Sequence, residues 1–285
     1  MKTQRSRWKV AAIQMTSTDD RDRNMTAARR LARRAATEGA DLIAFPENFS
    51  YLRPEGSPVR VSDRLDGELL GGLEDLAREL DCYVLAGSIP ERIPRSRRVY
   101  NTSVLLGPDG RQLAAYRKIH LFDIKIRGRV SFLESKSVAP GDRPVVVDTP
   151  LGHLGLSICY DLRFPELYRQ LALRGAEVMF VPAAFTSYTG RYHWMPLLRA
   201  RAIENQCWVV APAQVGHHGP GRRSHGHTAI LDPWGTTVGV RERGAGVVTA
   251  TIDLEKVRRV RAGLPALEHV RRELFRAPPR PRRPR

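Results

Sequence analysis

Short apolar runs, each closed by glycine, proline or a polar turn, alternate with stretches of helical spacing along nearly all of this 285-residue chain. That alternation restricts the fold more than any other feature. Single strands are expected at 8–15, 40–48, 82–91, 176–185, 207–215 and 246–254. Hairpins are expected at 100–118, turning on Pro108, Asp109 and Gly110, at 143–161, turning near Leu151 and Gly152, and at 227–240, turning on Pro233 and Trp234. Helical spacing covers 25–37, for which Asn24 is a candidate cap, 68–80, 164–174 and 193–205, and a last helix begins at 255. About a dozen strands, many in hairpins with helices between them, argue for an α/β fold of mixed sheets. Two sheets packed face to face with helices outside make a four-layer α-β-β-α sandwich. Residues 120–142 show no period and are expected as a long loop, which in a compact domain is commonly functional. No linker interrupts 1–275, which reads as one domain. Residues 276–285 are rich in proline and arginine and read as a disordered tail.

Three of the apolar runs deliver a reactive or charged group at their ends: Glu47 after Phe45 and Pro46, Lys118 after Arg117, and Cys159 after Ile158. The residues after Cys159 read as a sharp turn opening a helix, which presents the thiol to a cleft, and helix-terminal N–H groups favour a thiolate. A thiolate attacks an amide or nitrile carbon only if other groups manage the protons and the oxyanion. Glu47 suits a general base that later acts as acid. Lys118 supplies a fixed positive charge, and the backbone N–H of Tyr160 a second donor, for the oxyanion. Cys82 and Cys207 lie in apolar runs and read as structural thiols. A Cys-His pair using His193 or His227 is the rival chemistry, but no local signature of that class surrounds Cys159.

The segments AFPEN, YRKIHLFD and GLSICYDLRFPEL, in this order and spacing, resemble the nitrilase, or carbon–nitrogen hydrolase, superfamily over about residues 8–275. The resemblance implies a Glu47-Lys118-Cys159 triad, the same sandwich fold, dimers or higher homo-oligomers, and a second glutamate at Glu134, in FLESKSVAPGD, that helps orient substrate and hydrolyse the acyl-enzyme. Further segments resemble the branch containing omega-amidases and deaminated-glutathione amidases. That implies a cysteine amidase cutting the terminal amide of a small carboxylate-bearing molecule through a thioester, with release of ammonia. Arg163, four residues past the nucleophile, is placed to bind such a carboxylate, and Tyr192 and His193 are expected along the pocket. Nitrile and N-carbamoyl amino-acid hydrolysis use the same triad and stay open as alternatives.

The formal charge of +17 raises the question of polyanions. The chain holds 41 arginines and six lysines, and the arginines are scattered over helical segments instead of forming one block. They read as solvated faces; nucleic acid is not expected as a partner, and the tail is the one place suited to a polyanion contact. Gln14 breaks the first apolar run, and no stretch approaches the ~20 residues of a membrane span. Three cysteines cannot all pair, which suits free thiols in a reducing cytoplasm. His225 and His227 form an H-x-H without a further ligand at metal spacing, and no nucleotide-binding glycine motif is present, so neither metal nor cofactor is expected.

Overall fold

The computed structural model describes residues 5–54, 56–126 and 130–274, and the tail expected at 276–285 lies outside them. One sheet runs β17 (Gly246–Asp253), β1 (Arg7–Gln14), β2 (Leu42–Ala44), β3 (Tyr83–Arg92), β4 (Val99–Leu106) and β5 (Gln112–Arg117), with the short β8 (Val138–Ala139) paired to β4. The other runs β16 (Thr237–Arg241), β15 (Thr228–Leu231), β12 (Trp208–Ala211), β11 (Val178–Phe180), β10 (Gly152–Leu156) and β9 (Val145–Thr149). Both sheets are mixed: β1, β2 and β3 are parallel neighbours, as are β10, β11 and β12, and antiparallel strands flank each trio.

The apolar runs explain the layering. Along β1, Val10 and Ala12 belong to the core shared with the second sheet, whereas Ala11 and Ile13 belong to the core under the helices α1 (Arg21–Thr37) and α2 (Glu68–Leu80). β2 repeats this, with Leu42 and Ala44 on one side and Ile43 on the other. A strand buried on both faces has no polar alternation, which is why these segments read as continuous apolar runs. On the outer face of the second sheet lie α3 (Pro165–Leu173) and α4 (Ser187–Asn205), which contact β10, β12 and β15, and α5 (Leu254–Gly263) follows β17. The result is the expected four-layer α-β-β-α sandwich. No helix among the described residues is long and apolar enough to cross a membrane.

Several boundaries differ from the sequence reading. Helix α1 starts at Arg21, capped by Asp20, whose side chain accepts from the Arg23 N–H. Asn24 is buried within α1, and its amide bonds the Thr18 N–H and the Thr18 and Ser50 carbonyls, tying the helix to the loop beyond β2. Residues 120–142 are no plain loop. They hold the hairpin of β6 (Asp123–Ile126) and β7 (Val130–Leu133), a short 3-10 turn Glu134–Lys136, and β8. Four-residue strands are too short to print a period. The run at 207–215 splits into β12 and β13 (Val215–His217), which pairs with β14 (Arg223–His225). Helix α4 starts six residues before the expected position 193.

At Gly87 a glycine is required. Its neighbours Ala86 and Ile89 flank a break in the β3–β4 register, and a Cβ there would lie 2.0 Å from the Pro46 oxygen and 2.2 Å from that of Phe45. The backbone that precedes Glu47 is thus seated directly on β3. Gly87→Ala is expected to lower unfolding free energy in urea by about 3 kcal/mol and to reduce activity more than this loss of folded protein explains, because Glu47 is pushed off its place.

Candidate active site

Glu47, Lys118 and Cys159 converge although 71 residues separate the first pair. Glu47 lies in the turn that follows Phe45 and Pro46 beyond β2, and Asn48 after it takes a left-handed φ of 55°. Lys118 directly follows β5, where its N–H still donates to the Asn101 carbonyl at 2.8 Å. Cys159 follows β10 and begins a 3-10 turn, Cys159–Arg163. Its φ of 47° is left-handed, a conformation that a cysteine keeps only when its surroundings hold it.

Those surroundings are specific. The Cys159 N–H donates to the Pro182 carbonyl at 3.0 Å. Asp161, fully buried, accepts from the Ile158 N–H at 2.9 Å, the His120 N–H at 3.0 Å and the Tyr116 hydroxyl at 2.7 Å. One carboxylate therefore fastens the nucleophile's turn to the β5 segment that carries Lys118.

The Lys118 ammonium donates to Glu47 Oε1 at 2.9 Å and to Glu134 Oε2 at 3.0 Å. Glu47 also accepts from the Ala184 N–H at 2.9 Å, and Glu134 from the Phe122 N–H at 2.6 Å. All four groups are buried: Lys118 is 2% exposed, Glu47 3%, Glu134 6% and Cys159 8%. They line a cavity of about 380 Å³ with Asn101, Tyr160 and several aromatic side chains.

Burial alone lifts the Glu47 pKa, but the charge and N–H of Lys118, the Cys159 thiol and the Ala184 N–H outweigh it and hold the carboxyl below its usual range. Burial opposes the Lys118 charge, yet Glu134 and Glu47 push its pKa up, so it stays an ammonium. Cys159 moves far up, through burial first and then the negative charge of Glu47, with Lys118 pulling the other way. Both directions favour a protonated thiol beside an ionised carboxylate at rest. This differs from the thiolate expected of a helix terminus: the turn at Cys159 is five residues of 3-10 helix, and the carboxylate's field is nearer than any helix dipole.

The other sequence-predicted residues have other places. Tyr160 lines the cavity, but Arg163, Tyr192 and His193 do not. The Arg163 guanidinium lies 5.2 Å from the Phe185 ring centroid and 5.7 Å from that of Tyr160, and meets His193 Nδ1 at 3.2 Å. It braces the outer side of two cavity walls. Tyr192 is 64% exposed on α4, and His193 beside it is exposed too, while Ser187, Tyr188, Thr189 and Arg191 of the same helix line the cavity. The rings of His225 and His227 stack at 4.1 Å, and no cluster of three metal-ligating side chains occurs among the described residues. Burial raises the Cys82 and Cys207 thiols to about 11 and about 12, which keeps both protonated.

Asn101 escaped the sequence reading. Its amide donates to Glu47 Oε1 at 2.9 Å and to Glu134 Oε1 at 3.4 Å, bridging the two carboxylates opposite Lys118. The signal was available: Asn101, Thr102 and Ser103 interrupt an otherwise apolar strand and are all buried.

A family model for carbon-nitrogen hydrolases matches residues 9–262. The chain belongs to the carbon–nitrogen hydrolase family. It is 42% identical to a deaminated glutathione amidase of Synechocystis over 91% of this chain and 97% of that one. It is 44% identical to the human deaminated glutathione amidase over 93% and 83%, and 36% identical to a human omega-amidase over 94% and 96%. Its fold matches the Caenorhabditis elegans NitFhit protein with a TM-score of 0.88 and 38% identity, over 97% of this chain and 67% of that one. It also matches a variant amidase of Nesterenkonia that carries the acetamide moiety of fluoroacetamide on its active-site cysteine, with a TM-score of 0.78 and 26% identity over 94% and 95%. This carbon–nitrogen hydrolase is thus an enzyme that cleaves carbon–nitrogen bonds.

Donors to a carboxylate favour its charged form. With Asn101 in place, the acid limb of kcat/KM is expected below the ordinary glutamate value of about 4.3. Asn101→Ala removes a donor from Glu47, so the Glu47 pKa rises and the acid limb moves to higher pH. A pH–rate profile in which that limb stays put while kcat/KM falls leaves Asn101 a purely structural role.

Proposed function

We propose that the enzyme is a cysteine amidase that hydrolyses the terminal amide of a small carboxylate-bearing molecule through a thioester. The observation that carries the reading is the buried Glu47–Lys118–Glu134 cluster lining one cavity with Cys159. The names of the amidase relatives support the substrate class.

The resting protonation state fixes the order of events. As Cys159 Sγ attacks the amide carbon, its proton passes to Glu47, which is a carboxylate beforehand. The Lys118 ammonium, held by Glu47 Oε1 and both oxygens of Glu134, places a fixed positive charge beside the developing oxyanion, with the Tyr160 N–H as partner donor. Glu47 then returns its proton to the nitrogen as the C–N bond breaks, and ammonia leaves. Water attacks the thioester carbon while Glu47 takes its proton. Collapse of that second intermediate releases the acid and restores the thiol. Glu134 keeps Lys118 charged and fixed throughout and, with Asn101, orients Glu47.

Two further readings accompany this one. The buried free thiols suit a reducing cytoplasm. The exposed Tyr192, Ile203 and Trp234, on and beside α4, suit a face shared with a second copy, which light scattering of the purified chain will show as a dimer or higher oligomer.

Cys159→Ala is expected to lower ammonia release from omega-amides by about 10⁴-fold or more while leaving thermal unfolding near the wild-type temperature. Intact mass of the wild type, quenched during turnover, is expected to show the acyl group on Cys159. Turnover that survives in Cys159→Ala, on amides or on nitriles, removes the proposal.

A further inference from the structure

We propose that Arg53 and Arg222 form a carboxylate-binding station in the cavity, and that this pair, not Arg163, reads the acid group of the substrate. The inference rests on the amidase reading and adds to it the residues that select the substrate.

The charge on the cavity wall is divided. Among the described residues lining it, the carboxylates are Glu47 and Glu134, and both are bonded to Lys118 at the reacting centre. The remaining charged residues of the lining are Arg53, Arg191, Arg222 and Arg223. One part of the cavity therefore carries two carboxylates and an ammonium, and the rest carries guanidinium groups. A neutral amide suits the first part and an anion the second. A cleft that segregates charge in this way orients a substrate bearing both groups before any chemistry starts.

Arg53 is the built member of the station. It lies six residues beyond Glu47 on the same segment. Its guanidinium donates to the Ser57 carbonyl and to the Ser137 hydroxyl, the latter at 2.7 Å, and both acceptors are neutral. A guanidinium has five N–H donors, so the two contacts fix its plane and leave donors for a planar anion. Arg222, from the turn between β13 and β14, donates to the Arg53 carbonyl at 2.9 Å and sits 5.8 Å from the Phe132 ring centroid. Arg222 is near enough for its charge to be felt, and burial together with Arg222 holds the Arg53 pKa below its usual value. A bound carboxylate relieves that repulsion. Glu134 is near enough to be felt by Arg53, but its oxygens are already committed to Lys118 and the Phe122 N–H.

Two measurements test the station. The first compares ammonia release from succinamic and glutaramic acids with that from their methyl esters. Wild type is expected to prefer the free acids by about tenfold or more in kcat/KM, and Arg53→Gln and Arg222→Gln each to remove most of that preference. Arg53→Lys is expected to keep part of it, since the charge remains while the fork is lost, and the exposed control Arg111→Gln to keep all of it. The second needs no turnover: glutarate binding, followed by calorimetry, is expected to weaken by about tenfold or more in either glutamine variant. Acid preference and glutarate affinity that stay within about twofold of wild type in both glutamine variants overturn the station, as does a wild type that neither prefers acids nor binds glutarate. A wild type that binds glutarate through these arginines but releases no ammonia from any amide refutes the amidase reading instead.

Discussion

The structure is organised around one buried cation. An ammonium that is 2% exposed is costly unless carboxylates meet it, and Lys118 meets two. Taking away Lys118 leaves two buried carboxylates with no cation between them, so the three groups have to be placed together. Glu47 comes from the end of β2, Lys118 from the end of β5 and Glu134 from the turn after β7. Gln214, beyond β12 in the other sheet, donates to the Glu47 carbonyl at 3.0 Å and to the Ser17 hydroxyl at 2.8 Å. Ala184, following β11, gives its N–H to the Glu47 carboxylate. The cluster therefore depends on both sheets being packed in register, and the sandwich is the scaffold that fixes it.

Protonation follows from the same cluster. A nucleophilic cysteine is often activated by lowering its pKa. Here the adjacent carboxylate and the lack of water do the reverse and keep the thiol protonated. Glu47 is stabilised as the anion by Lys118, Ala184 and Asn101, so the acceptor is ready before the donor gives up its proton. Attack and proton transfer are then tied together, because a free thiolate beside an anionic Glu47 is the least favoured arrangement of the site. A buried thiol held in this way is also poorly reactive toward solvent oxidants until a substrate carbonyl arrives, since oxidation proceeds from the thiolate.

Much of this was legible in the chain because it is written in local patterns. Strands buried on both faces print as unbroken apolar runs, so β1, β3 and the hairpins of β4–β5 and β9–β10 stood out, and so did the residues closing them, Glu47, Lys118 and Cys159. What stayed hidden was either too short or too distant. β6 and β7 have four residues each, below the length at which alternation is visible, and they disguised themselves as a loop. Asp20 and Asn24 are both good caps, and only the packing of Asn24 against Ser50 decides between them. Arg163 drew attention by standing near the nucleophile in sequence, yet its side chain turns to the aromatic faces of Phe185 and Tyr160. Arg53 and Arg222, brought together from positions 169 residues apart, carry no local mark among 41 arginines.

The placement of Cys159 shows why the catalytic turn tolerates so little change. Its left-handed backbone is held on one side by the Pro182 carbonyl and on the other by Asp161, whose two oxygens are shared among the Ile158 N–H, the His120 N–H and ring, and the Tyr116 hydroxyl. Tyr116 is the penultimate residue of β5, two positions before Lys118, and His120 is two positions after it. A shift of Asp161 therefore moves nucleophile and ammonium together, and a shift of β5 is passed to the turn. Relative position is conserved by this link even where absolute position drifts, which is what attack on a carbonyl requires: the sulfur and the oxyanion donor have to stand on either side of the same carbon.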